Sequence, residues 1–95
     1  MSLNDARLKL DKIDKEIIKL LNERMEVSKE VKIIKAKEGL NSYDETREKA
    51  IIKKMEDLSK PEFRFMVNGI YGKIMRESES MIGNRVYGLI GLNLS

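Results

Sequence analysis

The chain has no cysteine, no histidine and one proline, Pro61, and aromatic residues make up only 5% of its 95 positions. Each scarcity excludes something. Without cysteine there are no disulfides and no thiolate nucleophile. Without histidine there is no imidazole base, and the two absences together remove the usual zinc ligands. Cysteine-free chains suit a reducing compartment, so a cytoplasmic location is expected. Few aromatics beside 37% charged residues favour helices over sheet. No apolar run is long enough to cross a membrane. The opening Met1-Ser2-Leu3-Asn4-Asp5 lacks the basic and apolar segments of a signal peptide. A formal charge of +3 is mild, and lysines alternate with acids as on solvated helix faces. Neither nucleic acid nor a membrane is therefore an expected partner.

What the chain has is one long helical pattern. Periodicity runs from about Leu3 to about Glu38 without proline or glycine, and Gly39 stops it. Such a helix is about 50 Å long, against a diameter of about 30 Å for a compact chain of this size. It needs a partner along its length, and a homodimer supplies one. One seven-residue row reads Leu3, Leu10, Ile17, Arg24, Val31; its companion reads Ala6, Ile13, Leu20, Val27, Ile34. Arg24 interrupts the stripe where a hydrocarbon belongs. A guanidinium there is costly unless something negative meets it. Either an internal acid pairs with it, or it faces a cavity that receives an anion. Lys35 lies within about 20° of Arg24 around the helix and about 16 Å along it, with Ser28 between them. Arg7 is rotated about 100° from Arg24. It points elsewhere, toward a site on a partner subunit if the helices pair.

Ser42-Tyr43-Asp44-Glu45 reads as a capping box, with Ser42 as N-cap. A second helix follows from about Tyr43 to Leu58, with Ala50, Ile51, Met55 and Leu58 inward. Ser59-Lys60-Pro61-Glu62 repeats the start signal. A third helix then runs to about Ile82, its stripe Met66 or Val67, Ile70, Tyr71, Ile74, Met75, Ser78 and Ile82. Gly69 and Gly72 each cost about 1 kcal/mol in a helix, which suggests a close helix crossing there. Beyond Gly83, residues 86–95 are apolar and glycine-punctuated, reading as one strand with no partner.

Further polar residues look out of place. Asp44 and Glu48 share a helix face with Arg47 beside them, which suits an ion pair near a helix start or a polar site. Ser78 interrupts the third stripe, as a serine bonded to its own backbone also would. Together these residues describe an apolar helical cavity with several cations, one or two acids and a hydroxyl. A small polyanion fits such a site.

At this point the residues meet a known pattern. Arg7…Ile13-Asp14…Leu20-Leu21-Asn22-Glu23-Arg24…Lys35…Asp44-Glu45-Thr46-Arg47-Glu48…Ser78 resembles the all-helical class of chorismate mutase over Leu3–Ile82. The resemblance implies an all-α, three-helix subunit with a very long first helix, intertwined as a homodimer. It implies rearrangement of chorismate, a small dianion, to prephenate, toward phenylalanine and tyrosine, with no cofactor and no metal. By the same resemblance, Arg24 holds one substrate carboxylate and the partner subunit's Arg7 reaches a carboxylate. Lys35 bonds the ether oxygen, Asp44 and Arg47 order the pocket, Glu48 takes the ring hydroxyl, and Ser78 touches a carboxylate.

One position departs from the family pattern. Four residues after the serine the family places glutamine or glutamate, a second donor to the ether oxygen; here it is Ile82. With Ser80 as the serine, Asn84 takes that place, but the apolar stripe favours Ser78. A lost donor removes about 3–4 kcal/mol of barrier lowering. A weak metabolite-binding or dimerisation domain is therefore the rival function. Residues 1–84 form the mutase-like domain. The tail, 85–95, resembles the opening strand of shikimate dehydrogenase, the expected start of a fused second domain.

Overall fold

The computed structural model describes residues 1–41 and 43–80. They form α1 (Leu3–Lys37), α2 (Glu45–Leu58), a 3₁₀ helix (Pro61–Met66) and α3 (Val67–Ser80), with no strand among the described residues. The all-α class and the long first helix expected from periodicity are present. The expected strand in the 86–95 tail, the end of the third helix at Ile82, and the 85–95 tail itself lie outside the described residues. None of the described helices is long and apolar enough to cross a membrane.

The ends of α1 show why it runs unbroken for 35 residues. Ser2 Oγ accepts from the Asp5 amide at 3.1 Å, and Asp5 Oδ2 accepts from the Ser2 amide at 3.3 Å. This capping box satisfies two otherwise orphaned donors. At the other end Gly39 takes φ 72°, the left-handed region that favours glycine. The Leu40 amide then donates to the Lys35 carbonyl at 2.8 Å and the Gly39 amide to the Ala36 carbonyl at 3.3 Å. That pair of bonds is a Schellman turn, and it reverses the chain toward α2.

The start of α2 differs from expectation. Asp44, not Ser42, is its N-cap: its Oδ1 accepts from the Arg47 amide at 3.0 Å, so the helix begins at Glu45. A carboxylate both caps the amides and complements the positive helix end. Ser42 lies outside the described residues. Ser59 likewise does not start the third helix. It caps the end of α2, extended before Lys60-Pro61, and the chain then takes a 3₁₀ helix before α3. Arg64 secures this corner, its Nε donating to the Glu56 carbonyl at 2.8 Å and Nη2 to the Ser59 carbonyl at 3.3 Å. Both acceptors lie at the end of α2, where the carbonyls lack the amides of a further helical turn.

The core is thin. Only Val67 and Met75, each 6% exposed, are buried apolar residues among those described. Ile51, Ile52 and Met55 of α2 are half-buried, whereas the expected inner residues Ala50 and Leu58 are exposed, as are Met66 and Ile70. The reason is that α2 is covered by α3 along one narrow line and by little else. A Cβ added at Gly69 would meet nothing within 4 Å, and one at Gly72 only the Arg76 guanidinium. The expected close helix crossing is therefore not found at these glycines within one chain.

The two apolar rows of α1 are also uncovered: Ile13, Leu20 and Val27 are 53–57% exposed. From Leu21 onward the half-buried positions are Leu21, Arg24, Met25, Ser28, Lys29, Lys32 and Lys35, a different face. α1 thus turns a mixed polar face toward its own chain and leaves its hydrocarbon stripe open along 52 Å, the longest dimension of the molecule. Replacing Asp44 by alanine should cost about 1 kcal/mol through the lost cap. A chemical denaturation curve monitored by circular dichroism would show it as a lowered midpoint with unchanged slope.

Candidate active site

A cavity of about 280 Å³ opens between α1 and α2. Its α1 wall carries Arg24, Val27, Ser28, Val31, Lys32 and Lys35; its α2 wall carries Asp44, Arg47, Glu48 and Ile51. Met75, Ser78 and Glu79 of α3 make the floor. The volume lies just below the range for small-molecule pockets, about 300–1,000 Å³.

Six residues singled out in the sequence therefore share one cavity: Arg24, Lys35, Asp44, Arg47, Glu48 and Ser78. Helix geometry explains the α1 set, since positions 24, 28, 31 and 35 recur every three to four residues on one side. The Schellman turn explains the α2 set, because it brings the start of α2 back beside Lys35. Arg7 is not in this group. It is exposed and lies about 25 Å along α1 from Arg24, out of reach of its own chain's cavity. Ile82 lies outside the described residues. Ser78, 7% exposed, is the buried serine, while Ser80 is half-buried and does not line the cavity.

The electrostatics answer the question posed by Arg24. It forms no ion pair among the described residues, and neither do Lys35 and Arg47. Its position at the cavity, not an internal acid, accounts for it. The Asp44–Arg47 side-chain pair expected at the helix start is absent as well; Asp44 instead accepts from the backbone of Arg47. Ser78 Oγ donates to the Ile74 carbonyl at 2.9 Å, within reach also of Met25 Sδ at 3.4 Å. The serine is thus bonded to its own helix while its remaining lone pairs line the cavity.

Two residues escaped the sequence reading. Lys32 lies 2.7 Å from Glu79 Oε2, and its Nζ donates a long bond to the Ser78 carbonyl at 3.4 Å. The signal was present, since Lys32 stands four residues after Ser28 on the cavity side, but it looked like any lysine among solvated charges. Tyr43 is the other. Its phenol is held above the usual 10.0, first by partial desolvation and then by the nearby Glu48 and Glu45 carboxylates, with a hydrogen bond to Glu48 adding to the effect. Tyr43 lines a second hollow of about 700 Å³ that backs onto the first and shares Glu48, Met75 and Glu79 with it.

Three unpaired cations on apolar walls suit a small polyanion. The chain's relatives point the same way: residues 6–81 match the family described as chorismate mutase type II. The chain belongs to that family. Its members are isomerases that convert chorismate to prephenate, a step of aromatic amino acid biosynthesis. A bifunctional chorismate mutase/prephenate dehydratase from Aquifex aeolicus (strain VF5) is 40% identical over 58 residues, which are 61% of this chain and 16% of that protein. The chain thus spans less than a fifth of the length of that curated relative. No solved structure matches the chain. In this chorismate mutase domain, an ultraviolet titration should show the Tyr43 phenol ionising above 10.0. Tyr43→Phe should remove that transition, and Glu48→Gln should move it down toward the ordinary value.

Proposed function

We propose that this chain rearranges chorismate to prephenate in the cavity between α1 and α2, and that it does so as a homodimer. The observation that carries the proposal is the gathering of Arg24, Lys35 and Arg47, unpaired among the described residues, around one apolar-walled cavity. Chorismate carries two carboxylates and an ether oxygen. Its rearrangement breaks one C–O bond and forms one C–C bond inside a single molecule. No base, nucleophile or redox group takes part, so a chain without histidine or cysteine can perform it. Two things are needed. The substrate must be held in a compact reactive conformer. Fixed positive charge must also stand where negative charge develops, on the ether oxygen, in a site shielded from water.

The side chains divide that work. Arg24 holds a carboxylate, and Lys35, on the same face of α1, bonds the ether oxygen. Arg47 adds positive charge from the opposite wall. Asp44 is held by its capping bond and orders the start of α2. Glu48, steadied by the Tyr43 phenol, accepts from the ring hydroxyl. Ser78 reaches a carboxylate by turning its hydroxyl away from Ile74. Val27, Val31, Ile51 and Met75 exclude water.

The dimer is supported by the uncovered apolar rows of α1. A continuous hydrophobic stripe of this length marks an interaction surface, and a second copy of the same helix matches it in length and heptad spacing. Pairing of this kind also gives Arg7 a purpose, since the partner subunit's Arg7 supplies a further cation to a site its own chain cannot reach.

Loss of chorismate absorbance tests the activity directly. The chain should turn chorismate over far above the uncatalysed rate, and Arg24→Ala should lower kcat/KM by at least about 100-fold without loss of helicity. Binding of a transition-state analogue without turnover would assign the chain the weaker role of a metabolite-binding domain. In sedimentation, the unmodified chain should run as a dimer and Leu20→Glu as a monomer. A monomeric unmodified chain would overturn the dimer.

A further inference from the structure

Four cations line the cavity, and Lys32 is the one tied down. Its side chain is 9% exposed, deeper than an ordinary lysine, with Glu79 at 2.7 Å and the Ser78 carbonyl at 3.4 Å. An ammonium has three N–H donors. Two are used on α3, and the third remains for whatever fills the cavity. A surface lysine must be ordered when it meets a ligand. This one is already held at two points, so its charge is in place before binding.

Its location matters as much as its fixity. Lys32 is one turn below Lys35 on α1, about 4.5 Å along the axis. It rests on Ser78 and Glu79, whereas Ile82, four residues after Ser78 in the sequence and outside the described residues, has only a hydrocarbon side chain. We propose that Lys32 supplies the hydrogen bond that Ile82 cannot, its third N–H meeting the ether oxygen beside Lys35 as the C–O bond breaks. Glu79 is a positioning residue that aims the ammonium and keeps it from pairing with a substrate carboxylate. No proton is transferred: the ammonium donates a hydrogen bond to the oxygen and remains an ammonium. The inference rests on the chorismate mutase reading and adds a residue to it.

Turnover of chorismate by the full chain, with kcat and KM resolved, tests this. Lys32→Met keeps the length of the side chain and removes the donor. It should lower kcat by about 100-fold, the usual effect of deleting one such donor, and change KM by less than threefold or so, because the carboxylates are held elsewhere. Lys32→Met also leaves the Glu79 carboxylate facing the cavity, so Lys32→Met/Glu79→Gln is the deciding variant. If kcat stays low in the double variant, Lys32 acts on the substrate. If kcat returns to that of the unmodified chain, Lys32 merely neutralises Glu79 and the proposal is overturned. Should Lys32→Met fail to fold, Lys32→Gln keeps an N–H donor at that position. Partial kcat in that variant supports the proposal, and full kcat with raised KM overturns it. Unchanged turnover in folded Lys32→Met overturns this inference alone. Absence of turnover in the unmodified chain overturns the mutase reading and this inference with it.

Discussion

The contact between α1 and α3 at Met25, Lys32, Ser78 and Glu79 decides where everything else stands. Here two hydrogen bonds and an ion pair, between residues far apart in sequence, join α1 to the third helix. The surface pairs Lys49–Glu45 and Lys53–Asp57 are exposed and one helical turn apart, and such pairs contribute a few tenths of a kcal/mol at most. The Lys32–Glu79 pair is different in kind, being partly desolvated and reinforced by a backbone carbonyl. Removing one partner of such a pair strands a charge, which costs far more than the intact pair contributes. Because α3 also covers α2, fixing α1 on α3 sets the width of the gap in which Arg24 and Lys35 face Arg47 and Glu48.

That gap is electrostatically unfinished. Arg24, Lys35 and Arg47 have no acid of their own among the described residues, and the carboxylate of Asp44 is committed to the helix start. A folded chain optimised only for stability would pair these cations or replace Arg24 by a hydrocarbon to complete its stripe. Leaving them unpaired costs desolvation in the free protein and reserves their attraction for an anion. The same trade explains the thin core. With so little apolar surface covered inside one chain, much of the hydrophobic driving force remains on the outer face of α1.

Much of this was legible in the primary structure, because α1 is governed by local rules. Its periodicity, its lack of glycine and proline, and Gly39 at its end fixed its extent to within one residue. Arg24 was conspicuous because it broke a pattern. Spacing put Asp44, Arg47 and Glu48 together on α2 but left an ion pair and a polar site both open, and the family resemblance assigned them to the pocket. The cap assigned to Ser42 belongs to Asp44, two residues on, where two cap-forming residues compete. Less legible was anything set by how helices lean on one another. Ala50 and Leu58 fit an inward stripe, but α3 crosses α2 along a narrower line. Lys32 looked like one more solvated lysine, since only the tertiary fold reveals that Glu79 and the Ser78 carbonyl lie within its reach.

The anchoring of α1 near its C-terminal end has a mechanical side. From Met25, where Ser78 of α3 bonds to it, back to Leu3 the helix extends about 33 Å, with no proline, glycine or bulge to absorb bending. It is a cantilever, clamped at one end by a methionine, a serine and an ion pair. A tilt of about 5° at the clamp carries the far tip through roughly 3 Å, about the length of a hydrogen bond. Whatever grips the free arm therefore has leverage over the clamp, and small strains at one end of the rod are felt in ångströms at the other.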